Sequence, residues 1–168
     1  VPRPRAVVSP GDLVTVAGRT GSARGGASSQ EDDRETRTLR ERAMGAMDRA
    51  YAPYSNFHVG AALLGGDGSI TEACNVENAA FPAGTCAERA ALVSAVARGV
   101  RSFRLIVIAT TPEEPAPPCG MCRQALVEFS PELEVLSVTR AGKEARWRLA
   151  ELLPHAFSPR AVERPADE

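Results

Sequence analysis

Three cysteines and one glutamate have the types and the spacing of a metal-dependent catalytic site. Cys119 and Cys122 form a CxxC pair at the predicted start of a helix, where both sulfurs can face one point. Cys86 lies 33 residues earlier, also at a predicted helix start, and the partial positive charge of such an end favours thiolates. The CxxC pair alone is compatible with half of a metal site or with a thioredoxin-like redox pair.

The number of sulfur ligands separates a structural from a catalytic metal site. Closed zinc sites use four protein ligands, whereas catalytic sites use three and keep one position for water. Cys74 is the one further cysteine among the four in the chain, and it lies in a predicted strand. Free cysteines are often small buried apolar residues, so we interpret Cys74 in that way. Three ligands then predict a catalytic zinc site.

Glu88, two residues after Cys86, has two interpretations. Thr85 and Glu88 match a capping box, in which the glutamate side chain accepts a hydrogen bond from the backbone N–H of the N-cap residue. Alternatively, a carboxylate next to a metal ligand can accept and return the proton of an activated water. Zinc nucleobase deaminases carry this arrangement, a His or Cys, any residue, Glu, and later PCxxC, with the Glu not a ligand. Whether Thr85 also caps the helix stays open at this point.

Elements that could position these side chains follow from the hydrophobic periodicity of the chain. Apolar residues at helical spacing alternate along the chain with short β-branched runs, which is typical of an α/β layered domain with a partly parallel sheet. A glycine-rich turn at 65–69 predicts a hairpin between the first two strands. We predict helices at 39–50, 85–96 and 119–129, and strands at 57–64, 70–76, 103–110, 133–138 and 146–149.

The amino-acid composition predicts the domain boundaries, the excluded partners and the location of the protein. Residues 1–38 include a Gly-, Ser- and charge-rich stretch that predicts a flexible extension, followed by a folded domain at 39–158 and a tail at 159–168. The 20 basic and 21 acidic residues give a net charge of −1, so nucleic acid is not an expected partner. No apolar run approaches the length of a membrane span, and we expect a cytoplasmic protein that does not bind membranes.

Five blocks of the sequence resemble the homotetrameric cytidine deaminases, whose zinc is held by three cysteines. They occur in the family's order and cover about residues 40–157. The blocks are YAPYSNFHVGAALL (51–64), CNVENAAF (74–81), CAER (86–89), PCGMCRQ (118–124) and LLPHAF (152–157). The resemblance implies an α/β/α sandwich with a central five-stranded mixed sheet. It also implies one zinc per subunit on Cys86, Cys119 and Cys122, and a homotetramer.

The implied activity is hydrolysis of cytidine or 2′-deoxycytidine to uridine or 2′-deoxyuridine and ammonia, with Glu88 as the proton carrier. The resemblance also assigns substrate-binding residues. Asn75 and Glu77 match residues that hydrogen-bond the ribose hydroxyls, and Phe57 matches an aromatic that packs against the nucleoside. Phe157 matches an aromatic that a neighbouring subunit lends to the pyrimidine.

Arg89 matches an arginine that hydrogen-bonds the zinc thiolates, and a physical argument supports this role. Three thiolates on Zn²⁺ leave a formal charge of −1, which opposes ionisation of water at the metal. Hydrogen-bond donors to the sulfurs withdraw part of that charge. Arg89 and the two helix ends are the available donors, and Gln124 is a candidate for orienting Arg89.

The type of residue at position 86 favours a free nucleoside as substrate, because deaminases of deoxycytidylate, RNA and DNA have histidine where this chain has Cys86. Two alternatives to a cytidine deaminase remain. PCGMCR at 118–123 also resembles the blasticidin-S deaminases, and the unusual segment Phe81–Gly84 could adapt the pocket to a modified cytosine nucleoside or a cytosine-containing antibiotic. A non-catalytic zinc or nucleoside-binding module is the alternative from another class.

Overall fold

The structure of the protein, a computed structural model, describes residues 26–157. The predicted C-terminal tail at 159–168 and the part of the predicted flexible extension at 1–25 lie outside these residues. Within residues 26–157, no helix combines the length and the apolarity that crossing a membrane requires. The helices are α1 (Gly26–Met47), α2 (Ala87–Ala97), α3 (Gly120–Val127) and α4 (Leu149–Leu152). The strands are β1 (Val59–Gly65), β2 (Ile70–Cys74), β3 (Phe103–Thr110), β4 (Glu134–Thr139) and β5 (Glu144–Arg148).

The five strands form one mixed sheet in the order β2-β1-β3-β4-β5. The first two are joined by the turn predicted at 65–69 and pair antiparallel, as β1 also does with β3. β3 and β4 run parallel, because α3 lies on the connection between them, and β5 returns antiparallel to β4. The predicted mixed sheet is therefore confirmed.

Helices cover both faces of the sheet. Leu39, Ala43 and Met47 of α1 pack against the side chains of β1, β3 and β4 that point to one face. On the other face, α2 and α3 pack against the alternate residues of the same strands, among them Val59, Ile106 and Ile108. Burial on both faces explains why β3 is an almost uninterrupted apolar run. The predicted α/β/α sandwich is confirmed, and the face that carries α2 and α3 holds both predicted cysteine motifs.

The start of α1 differs from the prediction. The helix begins at Gly26 rather than near Leu39, so the domain boundary predicted between 38 and 39 falls within it. Segment 26–38 has no apolar stripe, but its Gln, Glu and Arg residues are good helix formers. Glu35 also forms an ion pair of 3.0 Å with Arg104 of β3. Helix propensity and this tertiary contact are consistent with a helix in a segment whose composition predicted flexibility.

Gly60 of β1 lies in close contact with the backbone of α1. A Cβ atom at this position would overlap the carbonyl oxygen of Ala43 and the backbone nitrogen of Met47. Because both obstacles are backbone atoms, Gly60→Ala is expected to destabilise the fold by about 2–3 kcal/mol. Denaturant unfolding would measure the loss, with Gly45→Ala as the matched control. Gly45 lies within α1, and a Cβ atom there would make only an ordinary contact of 3.8 Å with the end of the Arg49 side chain, so alanine should stabilise by up to about 1 kcal/mol.

Equal stability of Gly60→Ala and the unsubstituted protein would contradict the close packing of α1 on β1 at this position. A Cβ atom at Gly60 would meet the backbone of α1, whereas a Cβ atom at Gly45 would meet only the side chain of Arg49. A loss of stability at Gly60 without a loss at Gly45 would therefore separate the backbone overlap at Gly60 from a general effect of alanine.

Candidate active site

The sulfur atoms of three cysteines meet at the N-terminal ends of two helices. Cys86 is the residue immediately before α2, and Cys119 is the residue immediately before α3. Their Sγ atoms lie 3.8 Å apart, and the Sγ of Cys122, one turn into α3, lies 3.4 Å from that of Cys119. All three sulfurs lie within 4.8 Å of one another. The packing of α2 and α3 on the same face of the sheet thus unites two motifs that are distant in sequence.

The sulfur cluster fits a zinc ion. Tetrahedral zinc with Zn–S bonds of about 2.3 Å requires sulfurs about 3.8 Å apart, close to the observed separations. Cys74, the remaining cysteine, is separate, and its Sγ hydrogen-bonds the carbonyl oxygen of Arg49. Among the described residues, the metal-ligand cluster contains three side chains, which is the ligand number of a catalytic rather than a closed structural site.

Hydrogen bonds within the cluster favour one thiolate. Those from Cys122 and Cys119, followed by the positive charge of Arg89, lower the pKa of Cys86 to about 5. The same pairing with Cys86, together with burial, raises the pKa of the Cys122 thiol. One member of the cluster therefore ionises readily, and a cation at the centre would compete for the protons of the others.

Glu88 lies at the second position of α2 with 5% of its surface exposed. Burial, followed by the negative charge of Cys86, raises the pKa of its carboxyl group. The capping box that Thr85 and Glu88 suggest is not formed, because Cys86 occupies the N-cap position. Thr85 instead pairs with Val76 through two backbone hydrogen bonds of 2.9 and 3.0 Å. The carboxylate of Glu88 is thus not used to cap α2 through Thr85.

A cavity of about 260 Å³ opens in front of Glu88 and the sulfur cluster. Its floor is formed by the first residue of β1 and the last residues of β3, and one wall is the loop that leads into α3. The lining residues are Phe57, Val59, Asn75, Cys86, Glu88, Ile108, Thr110, Ala116, Pro117 and Cys119. Apolar walls with a few convergent polar groups are typical of small-molecule sites.

Asn75 and Glu77, predicted to bind ribose, both hold the segment that precedes β1. The side-chain amide of Asn75 accepts a hydrogen bond from the Val59 N–H and donates one to the Phe57 carbonyl, each 2.8 Å long. The carboxylate of Glu77 accepts hydrogen bonds from the backbone N–H of Tyr54 and from Ser55. The bond from the Ser55 hydroxyl is the main cause of the lowered pKa of Glu77. These contacts shape the pocket, and the predicted ribose contacts stay a prediction.

Arg89 and Gln124, predicted to act on the zinc ligands, have separate partners. One terminal nitrogen of Arg89 donates to the carbonyl of Gly84, and its buried Nε has no hydrogen-bond partner among the described residues. Gln124 instead exchanges two hydrogen bonds with the backbone of Phe157, of 2.8 and 3.2 Å. Gln124 therefore fixes the C-terminal segment, and the ring of Phe157 stays 64% exposed.

Two further residues of this region escaped the sequence interpretation. Arg123 donates to the carbonyls of Pro118 and Leu152, at 2.7 and 2.9 Å, and so ties the loop before Cys119 to the C-terminal segment. The CxxC motif gave no indication of these partners, because both are backbone atoms. Thr110 also lines the cavity. Successive side chains of a strand point to opposite faces, so Ile106, Ile108 and Thr110 share one face of β3. The position of Thr110 on this face could have been predicted from the sequence.

A thiolate cluster that fits zinc, with a buried carboxylate beside it, defines the class of zinc-dependent enzymes that activate water. The family model "Cytidine and deoxycytidylate deaminase zinc-binding region" matches residues 33–138. A cytidine deaminase of Sporosarcina psychrophila is 43% identical over 124 residues, which cover 73% of this chain and 91% of the relative. The chain therefore belongs to the cytidine and deoxycytidylate deaminase family.

Solved structures and a further relative agree with this assignment. The crystal structure of a cytidine deaminase from Burkholderia pseudomallei superposes with a TM-score of 0.69 at 45% identity. The match covers 72% of this chain and 98% of that structure. A blasticidin-S deaminase of Bacillus cereus is 33% identical over 109 residues, covering 60% of this chain and 77% of the relative.

Proposed function

We propose that the protein hydrolyses cytidine and 2′-deoxycytidine to uridine and 2′-deoxyuridine, releasing ammonia. The observation that carries this proposal is the position of Glu88, a buried carboxylate that shares a nucleoside-sized cavity with Cys86 and Cys119. General acid–base catalysis requires a carboxyl group of raised pKa within reach of the reacting atoms.

Cys86, Cys119 and Cys122 would hold the zinc, which supplies Lewis-acid activation of water. Glu88 accepts a proton from the attacking water as its oxygen bonds to C4 of the cytosine ring. Glu88 then delivers that proton to N3, and a further proton transfer allows the amine to leave as ammonia. Water is consumed, the C4–N bond breaks, and no oxidant or reductant is needed.

The remaining pocket residues would orient the nucleoside. Phe57 and Ile108 provide apolar surface for the base, and Asn75 provides a polar group in the same cavity. Glu77, two residues after Asn75, lines a separate cavity. The side of the first cavity that Asn75 forms suits the ribose hydroxyls. Because such contacts hold C4 next to the attacking water, their loss is expected to reduce kcat as well as binding.

The proposal is tested by incubating zinc-loaded protein with cytidine while the fall in ultraviolet absorbance and the release of ammonia are followed. A panel of cytidine, 2′-deoxycytidine, deoxycytidylate and blasticidin S identifies the substrate class. Stoichiometric ammonia from the two nucleosides supports the proposal. No turnover of any compound by zinc-loaded protein would instead support a non-catalytic nucleoside-binding module.

A second candidate is a modified cytosine nucleoside or a cytosine-containing antibiotic. Phe81 lies on a 3₁₀ turn, is 76% exposed, and contacts Tyr54 edge-to-face with ring centroids 6.1 Å apart. These two rings border a second cavity of about 390 Å³, which also includes Glu77. Glu77 of this cavity lies two residues after Asn75 of the first cavity in the chain, so a substituent on the sugar could reach it. A higher kcat/KM for blasticidin S than for cytidine would favour this candidate.

A cytoplasmic homotetramer in which Phe157 reaches the pocket of a neighbour is also part of the proposal. The side chain of Phe157 is exposed, while two hydrogen bonds with Gln124 fix its backbone. This arrangement is expected for a side chain that contacts a neighbouring subunit. Further exposed large apolar side chains are consistent with subunit contacts. They are Tyr51, Tyr54, Val76, Phe81, Val93 and Met121.

Phe157→Ala is expected to raise KM for cytidine about tenfold, because loss of a buried aromatic contact costs on the order of 1–2 kcal/mol. Phe157→Tyr keeps the ring and should retain a KM close to that of the unsubstituted protein. Light scattering after size-exclusion chromatography would measure the oligomer in parallel. A stable monomer with an unchanged KM would contradict the role of Phe157 between subunits.

A further inference from the structure

Thr110, the last residue of β3, has a hydroxyl group that forms no hydrogen bond within residues 26–157. Its side chain is 1% exposed, and Oγ1 has no hydrogen-bond partner among the described residues. Three other buried side-chain atoms share this property, namely Arg40 Nε, Arg89 Nε and Ser137 Oγ. Of these four residues, Thr110 alone is part of the cavity that contains Glu88. A buried unpaired hydroxyl requires an explanation, because it is usually paired or replaced by an apolar group.

The position of Thr110 in the sheet shows that a methyl group would fit in place of the hydroxyl. Thr110 lies on the same face as Ile106 and Ile108, and its neighbour on β1 is Val59. All three neighbours are β-branched apolar residues, so valine would continue the pattern. The hydroxyl is therefore not needed for packing, and a ligand in the cavity can supply its missing partner.

The strand order indicates which part of the ligand Thr110 faces. Asn75 follows β2, Val59 begins β1 and Thr110 ends β3, and these three strands are adjacent in that order. This inference rests on the proposed function, in which the sugar lies at the Asn75 end of the cavity. The edge of the pyrimidine opposite the sugar, with C4 and its amine, then points towards Thr110, Ala116 and Pro117.

We propose that Thr110 Oγ1 accepts a hydrogen bond from the exocyclic amine of bound cytidine and so positions the leaving group. Thr110 lines the cavity, and its side chain can rotate about the Cα–Cβ bond between staggered rotamers to direct Oγ1 towards a ligand. Among the described residues, no hydrogen bond of Oγ1 opposes this rotation. A hydroxyl suits both ends of the reaction, because it accepts from the amine of the substrate and donates to the carbonyl oxygen of the product.

The test compares Thr110→Val with two other variants. Thr110→Ser keeps the hydroxyl, and Ser137→Ala removes a buried, unpaired hydroxyl of β4 that does not line the cavity. Two ligands are measured with zinc-loaded enzyme: cytidine, and its analogue pyrimidin-2-one riboside, in which hydrogen replaces the amine. For Thr110→Val we expect KM for cytidine to rise about tenfold, a typical effect of losing one hydrogen bond.

Affinity for the analogue, measured as a competitive inhibition constant, should change less than about twofold, because the analogue has no amine to contact Thr110. Thr110→Ser should restore most of the affinity for cytidine, and Ser137→Ala should leave both constants unchanged. The melting temperature of Thr110→Val should equal or exceed that of the unsubstituted protein, because an unpaired buried hydroxyl has been removed.

Three results would overturn the inference. An equal loss of affinity for both ligands would show a general effect on the pocket, and no loss for either would show no contact. A lower melting temperature or failure to fold of Thr110→Val would show that the hydroxyl acts within the protein. If the unsubstituted enzyme deaminates cytidine, these results leave the proposed function intact. An unsubstituted enzyme without this activity would overturn the proposed function and the inference together.

Discussion

Replacing Glu88 by glutamine is expected to lower kcat for cytidine by roughly 100- to 10,000-fold while zinc remains bound. Glutamine has almost the same shape but cannot accept a proton from water and return it to N3. Glu88 lies outside the three-sulfur cluster, so the number of zinc ligands does not change. Steady-state kinetics together with elemental analysis of zinc would measure both quantities on the same preparation.

Stability provides the control for the Glu88 prediction. Burial raises the pKa of this carboxyl group, so ionisation opposes folding. The cost is absent below the usual carboxyl pKa, increases as the pH rises from that value to the raised pKa, and is fully present above it. Glutamine cannot ionise, and Glu88→Gln should therefore melt at least as high as the unsubstituted protein at neutral pH. Retention of a near-normal kcat by this variant would disprove the role of Glu88 as proton carrier.

Replacement of Cys122 by serine is expected to remove zinc and to reduce kcat at least about 1,000-fold. Cys122 is fully buried, and its sulfur completes the three-ligand set with Cys86 and Cys119. A serine hydroxyl is a poor ligand for zinc, and the metal supplies several kcal/mol of transition-state stabilisation. The melting temperature should also fall, because zinc that binds the folded state stabilises it.

Cys74→Ser is the matched control for this experiment. Cys74 is half-buried and contacts the carbonyl of Arg49, away from the cluster. This variant should keep one zinc per chain and nearly full activity. Removal of zinc from the unsubstituted protein by a chelator should reproduce the loss seen with Cys122→Ser, and added zinc should restore activity. Full activity of Cys122→Ser, or of metal-free protein, would exclude a catalytic role for the cluster.

Most strands and helices could be predicted from short segments of sequence. β3 was predicted with its observed bounds, because a strand covered on both faces is apolar throughout. The start of α1 at Gly26 was not predicted, because segment 26–38 lacks the apolar stripe from which a helix is recognised in a sequence. A contact with Arg104, 69 residues from Glu35, contributes to its stability. The hydrophobic pattern of a short segment contains no information about an ion-pair partner 69 residues away in the sequence.

The role of Thr85 shows a similar limit. The spacing of Thr85 and Glu88 satisfies a capping box, but the backbone of Thr85 pairs with Val76. This bridge places Cys86 at the N-cap and leaves the Glu88 carboxylate free to face the cavity. A spacing rule describes one helix end in isolation, whereas the choice between two hydrogen-bond partners depends on which segments pack nearby.

Local sequence was sufficient to predict the metal-ligand cluster and to name Glu88 as the candidate proton carrier, because each motif lies within one turn of a helix. Residues three or fewer positions apart at the start of a helix lie at the same helix end, and this does not depend on the rest of the fold. The rule applies to the CxxC pair and to Cys86 with Glu88. Tertiary structure decided how those ends combine. The packing of α2 and α3 on one face brings three sulfurs within 4.8 Å, and the order β2-β1-β3 places Asn75 and Thr110 on either side of Val59 in one cavity. Such positions depend on contacts between distant segments, which no local spacing contains.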